Sequence, residues 1–463
     1  MRNTRKRQIF RVCLLALVPL LAGLVPQSPV PDGTGQSEVR PPKLVIESHQ
    51  LSNQLRLLML EDHSVPVINL QVWYHVGSKD ERTGRTGFAH LFEHLMFKGS
   101  ANVGPDEHSR IIEAMGGFDN AYTTDDVTVY FQTFPSNYLE RVLWLEADRM
   151  GSLNVDEANF RSEREVVKEE RRARVENAPY GRVAEDLYDA AFTVHPYKHA
   201  TIGSLEDLNK ASVEHVQEFF RTFYRPDNAT LVIAGDFSPA QAVRWVEKYF
   251  GGIPPSPKAI PRVTVQEPPQ EQQRRLAKSY SNTLLPAVIA GYRMPARYTP
   301  DSYPLDLASN ILSQGESSRL YRKLVYEDRI ALRAEGGGNF TEDPNLFWVL
   351  AVMNQGHSAA EGEKAIEAVL EQMKVVPVEA TELEKAKNQL TASFILGRRT
   401  MQRKADALGE AAVLGKDPNW VNTELDRYLS VTPEDIQRVV QKYFVNQQRT
   451  LLVVAPPKPP EKH

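Results

Sequence analysis

Three residues within five positions, His90, Glu93 and His94, have the types and the spacing of a metal-dependent hydrolytic site. They lie in the apolar segment 87–97, which predicts a helix. Positions four apart lie on one face of a helix, one turn above the other, so the two imidazoles can bind a single zinc ion. The Glu93 carboxylate can then reach a water on that ion without binding the ion itself. The alternative is a helix whose histidines only pack or face solvent.

A third ligand is needed, because a catalytic zinc ion usually has three protein ligands and an open position. The segment 156–176 has no glycine or proline and predicts a helix, with Val166 and Val167 marking its buried side. A helical projection places Glu163 and Glu170 close to these valines. Carboxylates on an apolar stripe are costly unless each has a charged or metal partner. We therefore expect Glu170 to bind the metal and Glu163 to orient a ligand.

These residues together resemble the inverted-motif zinc peptidases of the pitrilysin/insulinase family, which includes the mitochondrial processing peptidase. The resemblance rests on the His-x-x-Glu-His pattern, on Glu170 and on the carboxylate seven residues before it. It implies a peptidase with His90, His94 and Glu170 as zinc ligands, Glu93 as general base and Glu163 as the supporting acid. One Zn²⁺ per chain is expected.

Two further stretches, 116–130 and 195–203, agree with this resemblance. In the family, the substrate adds to a strand at the site, which implies that Asn120 and Ala121 bind the peptide backbone. The alternative for Asn120 is a turn residue after the preceding glycine pair. His195, which precedes a proline, is expected to be a loop residue and not a ligand.

The second half of the chain repeats the first at a constant shift of 220 residues, the interval from Val216 to Ile436. Residues 216–234 and 436–454 share one pattern, a helical segment followed by a β-branched run. At the same shift the metal motif falls on Asn310, Ser313 and Gln314. The second copy therefore keeps the framework and lacks the ligands, and the metal is expected in the first half only.

The repeats mix β-branched runs with amphipathic helices, which predicts an α+β fold. The family resemblance implies two homologous domains, each a mostly antiparallel sheet with helices packed on one face. Strands are predicted at 55–60, 67–75, 127–133, 230–234, 285–292, 346–353 and 450–454, and helices at 88–97, 109–114, 138–150, 156–176, 213–223, 239–249, 359–373 and 380–397. The expected organisation is a catalytic domain at 44–252, a proline-rich linker at 253–274 and an inactive homologous domain at 275–457.

The N-terminus has the layout of a secretory signal. Residues 1–11 contain five basic side chains and no acidic one, and residues 12–25 are apolar. We predict a signal peptide at 1–25, a flexible lead-in at 26–43, export to a bacterial periplasm, and no stable membrane span after the signal is removed. A mitochondrial presequence, with a matrix location, is the alternative, but the apolar run is not amphipathic. The single cysteine, Cys13, lies in this segment.

The net charge and two residues of the second half indicate which partners to expect. A formal net charge of −4 gives no reason to expect nucleic acid. Active members of the family often place an Arg and a Tyr in the second half, whereas Val325 and Leu332 occupy those positions here. We therefore expect the zinc-bearing subunit of a hetero-oligomer, with a homologous partner subunit that carries the Arg/Tyr pair. The alternative function is a non-catalytic peptide-binding or scaffold subunit.

Overall fold

Each half of the chain contributes one β-sheet to the structure, a computed structural model that describes residues 40–457. The first sheet has the order β1-β2-β6-β3-β5-β4, and the second has the order β7-β11-β8-β10-β9. The first comprises β1 (Glu47–Gln50), β2 (Arg56–Glu61), β3 (Val67–Tyr74), β4 (Phe118–Thr123), β5 (Thr128–Pro135) and β6 (Ala229–Gly235). The second comprises β7 (Arg274–Ser279), β8 (Ala287–Met294), β9 (Ala331–Gly338), β10 (Asn345–Met353) and β11 (Arg449–Ala455).

Both sheets are mostly antiparallel, with one parallel pair each, β2 with β6 and β7 with β11. The helices of the first half are α1 (Phe88–Leu95), α2 (Glu107–Ala114), α3 (Leu139–Ser152), α4 (Glu157–Arg171), α5 (Val183–Ala191), α6 (Leu205–Lys210), α7 (Val213–Phe223) and α8 (Pro239–Phe250). Those of the second half are α9 (Ser302–Ser313), α10 (Ala359–Val375), α11 (Ala380–Leu396), α12 (Met401–Val413), α13 (Trp420–Leu429) and α14 (Pro433–Tyr443). A π-helical turn, Arg172–Glu176, continues α4.

The predicted duplication is visible in these bounds. The elements β3, β6 and α7 correspond to β8, β11 and α14, and the three pairs begin at the 220-residue shift. The equivalent strands also occupy equivalent places in the two sheets. The predicted α+β fold with two homologous domains is confirmed.

Each half packs its own helices on one face of its sheet. In the first half, Leu70, Val72 and Tyr130 of the strands share a core with Phe92 of α1 and Leu143 of α3. These side chains are almost fully buried, and burial of apolar area on this scale is the main force that holds the layers together.

The opposite face of each sheet is covered by a helix from the other half. In the first sheet, Trp73 and Val232 pack against Leu408 of α12. In the second, Ile289 and Leu452 pack against Leu187 of α5. The helices α5 and α12 occupy equivalent positions in the two copies. Each half therefore covers the sheet of the other half with the equivalent helix, and we call this arrangement a helix exchange. The amphipathic pattern alone does not predict it.

The connection between the halves runs through residues 251–273, and this part of the described chain contains no helix or strand. Within it, Glu267 accepts hydrogen bonds from the backbone N–H groups of Thr193, Val194 and His195. The connection is therefore tied to the first half. The domain limits predicted at 252 and 275 stay predictions.

The predicted signal peptide at 1–25, and the lead-in as far as residue 39, lie outside the described residues. Among the helices of residues 40–457, none combines the length and the apolar composition that a bilayer crossing requires.

Candidate metal centre

Helix α1 has an apolar face that packs in the core and a polar face that carries residues of the site. Phe88, Leu91 and Phe92 are buried in the first-half core, while Glu93 and His94 face the other way. The helix begins after Gly87, whose φ of 89° lies in the left-handed region. A Cβ on this glycine would lie 2.7 Å from the carbonyl oxygen of Ile202, so only glycine fits between the helix and that loop.

Helix α4 supplies the carboxylates. It begins after Asp156, whose side chain accepts a hydrogen bond from the N–H of Asn159, as expected for a helix cap. Glu163 is 4% exposed, and Val167 is fully buried. Val166, however, is 45% exposed, so its assignment to the buried side is wrong. The buried side of α4 consists of residues three and four positions apart. Val166 is adjacent to Val167 in sequence, so its side chain points about 100° away from that side.

The structure brings together His90, His94 and Glu170. One donor atom from each lies within 4.8 Å of the other two, and this is the one such group found in residues 40–457. The His90 Nε2–Glu170 Oε1 distance is 3.7 Å, and the His94 Nε2–Glu170 Oε2 distance is 3.3 Å. A tetrahedral zinc ion separates such donors by about 3.3 Å, so two imidazoles and one carboxylate fit a zinc site with an open fourth position.

Burial and neighbouring charges shift the pKa values of the two imidazoles in opposite directions. Burial, together with the proximity of His94, lowers the pKa of His90 well below the usual value, so this ring is neutral, the form that binds metals. Burial also disfavours the charged form of His94, but the carboxylates of Glu163 and Glu170 outweigh it and raise the pKa of His94.

Glu163 supports the group from behind. Its Oε2 lies 3.4 Å from Nδ1 of His94, and its Oε1 lies 3.1 Å from Nζ of Lys98. Burial would raise the pKa of Glu163, yet the contacts with His94 and Lys98 outweigh it and hold the pKa below the usual value. An ionised Glu163 therefore aims Nε2 of His94 toward Glu170.

Glu93 faces the cleft beside this group. The hydroxyl of Thr123, the last residue of β4, donates a 2.7 Å hydrogen bond to Glu93 Oε2. Burial raises the pKa of Glu93, and the hydrogen bond from Thr123 partly offsets it. A carboxylate with a raised pKa is a stronger base than an ordinary one.

An open cleft of about 630 Å³ is lined by His90, Glu93, His94 and Glu170. Its walls include residues 120–123 of β4, Arg174 and Val175 beyond α4, and the loop 200–202. Asn120 and Ala121 therefore lie in the cleft, and Asn120 belongs to a strand and not to a turn. Because β4 is the last strand of its sheet, one of its edges is not paired within the sheet.

No residue of the second half lines this cleft among those described. Asn310 and Ser313, the counterparts of His90 and Glu93, lie in α9, and Gln314 follows them. Leu332 is 63% exposed, and Val325 is partly buried against the second-half core. His195 lies in a loop, where its ring accepts a hydrogen bond from the N–H of Tyr197.

Sequence reasoning did not find Lys98, Thr123 or Arg174. Lys98 follows His94 by four positions, and this helical spacing is the one feature of the sequence from which its place beside the site could have been predicted. Thr123 contacts Glu93 through sheet pairing, and Arg174 follows Glu170 by one turn in a run rich in arginine.

Comparison with known proteins shows the family to which the chain belongs. The family model described as "Insulinase (Peptidase family M16)" matches residues 56–204, and the one described as "Peptidase M16 inactive domain" matches residues 210–390. The chain is 32% identical to the zinc protease PqqE of Helicobacter pylori over 414 residues, which cover 89% of this chain and 93% of that protein. The chain belongs to peptidase family M16.

Two further M16 relatives extend the comparison. The crystal structure of a protease from Helicobacter pylori has a TM-score of 0.86 at 32% identity, covering 89% of this chain and 100% of that one. The beta subunit of the mitochondrial processing peptidase from Lentinula edodes is 24% identical, covering 86% of this chain and 87% of that protein. The predicted family is confirmed.

Proposed function

We propose that the chain is a zinc-dependent endopeptidase that hydrolyses peptides or unfolded polypeptides. The observation that carries this proposal is the convergence of His90, His94 and Glu170 beside Glu93 in an open cleft. Three ligands and one free position distinguish a catalytic zinc site from a structural one, which needs a fourth protein ligand.

His90, His94 and Glu170 would hold one zinc ion, which would supply a Lewis acid able to lower the pKa of water and to polarise a carbonyl group. Glu93 accepts the proton of the attacking water and returns it to the leaving amine. Thr123 holds the Glu93 carboxylate in place, and Glu163 holds the His94 ring. These contacts position each group before the substrate arrives.

The free edge of β4 is the proposed docking place for the peptide. A substrate that adds there as a strand pairs its backbone with that of Asn120 and Ala121. Strand addition recognises backbone groups, so many sequences are accepted.

The partner and the location are further parts of the proposal. Val325 and Leu332 replace the Arg/Tyr pair, and the described cleft has walls from the first half only, which supports a homologous partner subunit that supplies the pair. The basic and apolar N-terminus supports export to a bacterial periplasm over the mitochondrial matrix.

The test compares Glu93→Gln with His90→Ala in the purified full chain, assayed alone and with a homologous subunit. Glu93→Gln should retain zinc and lose peptide cleavage, whereas His90→Ala should lose both. Glu165→Gln, an exposed change on the same helix as Glu170, is the control and should alter neither. A fully active Glu93→Gln variant would refute the mechanism.

The replacement of the Arg/Tyr pair also favours the alternative, a non-catalytic peptide-binding subunit. The zinc content of the purified protein distinguishes the endopeptidase from the non-catalytic subunit, because a scaffold needs no metal. If the hetero-oligomer proposal holds, the chain alone cleaves peptides poorly and a homologous subunit restores the rate. High activity of the isolated monomer would contradict the need for a partner.

A further inference from the structure

Arg174 is the one arginine or lysine that lines the zinc cleft among the residues described. It lies in the π-helical turn Arg172–Glu176, one turn after Glu170. Its side chain is 75% exposed, and its Nη1 lies 2.6 Å from Glu170 Oε1. π-Helical turns of this kind occur frequently at functional sites.

The neighbouring arginines are directed elsewhere. Arg171 is buried, with its Nη2 2.9 Å from Glu185 Oε2 and its Nη1 bonded to the carbonyl oxygen of Gly203. Arg172 pairs with Glu169 on the outer side of the helix. Arg174 alone of this run extends over the open cleft.

The charge balance of the cleft explains why this arginine matters. The carboxyl groups of Glu93 and Glu170 both line the cleft, and a divalent ion bound there would offset their negative charge, so the Arg174 charge would be left without compensation. The ion and the guanidinium also compete for the same Glu170 carboxylate, and like charges this close repel each other. Arg174 is thus available to an anionic group of a bound substrate.

We propose that Arg174 determines specificity by pairing with a carboxylate of the peptide substrate close to the scissile bond. This inference rests on the proposed peptidase function. Arginine suits the role because its planar fork of donors binds a carboxylate through two hydrogen bonds. The carboxylate comes either from an acidic side chain or from the C-terminus of the peptide.

The experiment measures kcat/KM on pairs of fluorogenic peptides that differ only in Glu or Gln at single positions beside the scissile bond. Each pair is made with a free and with an amidated C-terminus, which separates the two sources of the carboxylate. The wild-type protein should prefer the charged member by about tenfold, and Arg174→Gln should remove this preference. Arg174→Lys should restore part of it, and Arg172→Gln should leave it unchanged.

Zinc affinity, measured by competition with a chelator, is the second readout. Arg174→Gln should bind zinc at least as tightly as the wild type, because a repelling cation is removed. A tenfold loss of zinc affinity would make Arg174 an anchor of Glu170 and overturn the proposal. Cleavage of all peptides without a charge preference would also overturn it, while leaving the peptidase proposal intact. A zinc-loaded protein that cleaves no peptide, with or without a homologous subunit, would instead refute the peptidase proposal.

Discussion

At the scale of single residues, Glu163 shows how one carboxylate links a metal ligand to its support. It is buried, it contacts Nδ1 of His94, and Lys98 balances its charge. An ionised carboxylate behind a ligating imidazole fixes the orientation of the ring and makes it a better donor. Its contribution is to the ligand and not to the proton transfer carried by Glu93.

Glu163→Gln should therefore weaken zinc binding by about tenfold, because an amide holds the His94 ring less firmly than a carboxylate does. Competition with a chelator measures the change. The exposed Glu165 of the same helix, which pairs with Lys168, offers a control in Glu165→Gln. Equal zinc affinity in all three proteins would show that Glu163 does not act on the ligand.

The residues that the sequence predicted for the site are those with helical spacing. His90, Glu93 and His94 follow from a single turn of helix, and Glu163 and Glu170 follow from the wheel of a second. Thr123 was not predicted because its contact with Glu93 depends on how β4 packs against α1. Arg174 follows Glu170 by four positions, but this spacing alone does not distinguish it from the other arginines of the same run. Val166 is exposed although it is apolar, because the buried stripe of α4 follows Glu163 and Val167.

At the scale of elements, a buried ion cluster joins the turn after β3 to the loop between β9 and β10. Lys79, which is 5% exposed, lies 3.0 Å from Asp126, 2.8 Å from Glu342 and 3.1 Å from Asp343. Burial would lower the pKa of Lys79, yet Asp126 and Glu342 outweigh it and raise the pKa. The cluster fastens the second half to the β4–β5 hairpin of the first.

Lys79→Met should lower the free energy of unfolding by about 3 kcal/mol, because it leaves the buried carboxylate of Asp126 without its cation. Denaturant unfolding measures this change. Lys248→Met is the matched control, because Lys248 forms an ion pair with Glu140 on the surface, and it should leave the unfolding midpoint unchanged. Similar midpoints for the two variants would contradict a stabilising role for the cluster.

Glu424 of α13 predicts a pH dependence of stability. Burial raises its pKa to about 7, and Arg297 only partly offsets the effect. Because the folded pKa exceeds the unfolded one, the stability that this group contributes is fully present below about pH 4.5 and is lost as the pH rises toward 7.

Glu424→Gln should accordingly stabilise the protein by about 2 kcal/mol at pH 8 and by much less at pH 5. Unfolding curves of wild type and variant at the two pH values measure the difference. Glu384→Gln, an exposed change on α11, should have no effect at either pH. A benefit that is equal at pH 5 and pH 8 would exclude titration of Glu424 as its cause.

The elements that the sequence predicted best are those with a strong pattern on one face. Helix α7 has the predicted bounds, and β3 differs by one residue at its end. The strands β1, β7 and β9 were not predicted because they are edge strands, whose exposed, polar or glycine-containing sequences lack the alternation of a half-buried strand. Helices α5 and α12 were not predicted either, and their packing on the sheet of the other half could not be, because periodicity indicates a buried face and not the element that covers it.

At the scale of the whole molecule, the exchange of α5 and α12 makes the two halves dependent on each other. Gly409 is the residue at which α12 approaches the first sheet very closely. A Cβ on this glycine would lie 2.2 Å from the ring of Trp73 in β3. The glycine therefore allows the helix of one half to lie directly on the sheet of the other.

Gly409→Val should reduce the free energy of unfolding by about 3 kcal/mol, because the added methyl groups push α12 away from Trp73. Calorimetry measures the loss. Arg403→Val places the same side chain on the exposed side of α12 and should cost less than 1 kcal/mol, through helix propensity alone. Equal losses for both variants would show that the contact between α12 and the first sheet is not tight.

The same exchange bears on the origin of the chain. An ancestor with one copy of the unit would have had a sheet with one bare face, and two such chains would have covered each other by trading their middle helices, as domain-swapped dimers do. Fusion of two gene copies would have made that trade permanent within one polypeptide. The two copies now differ at the metal positions, where Asn310 and Gln314 stand in place of the histidines.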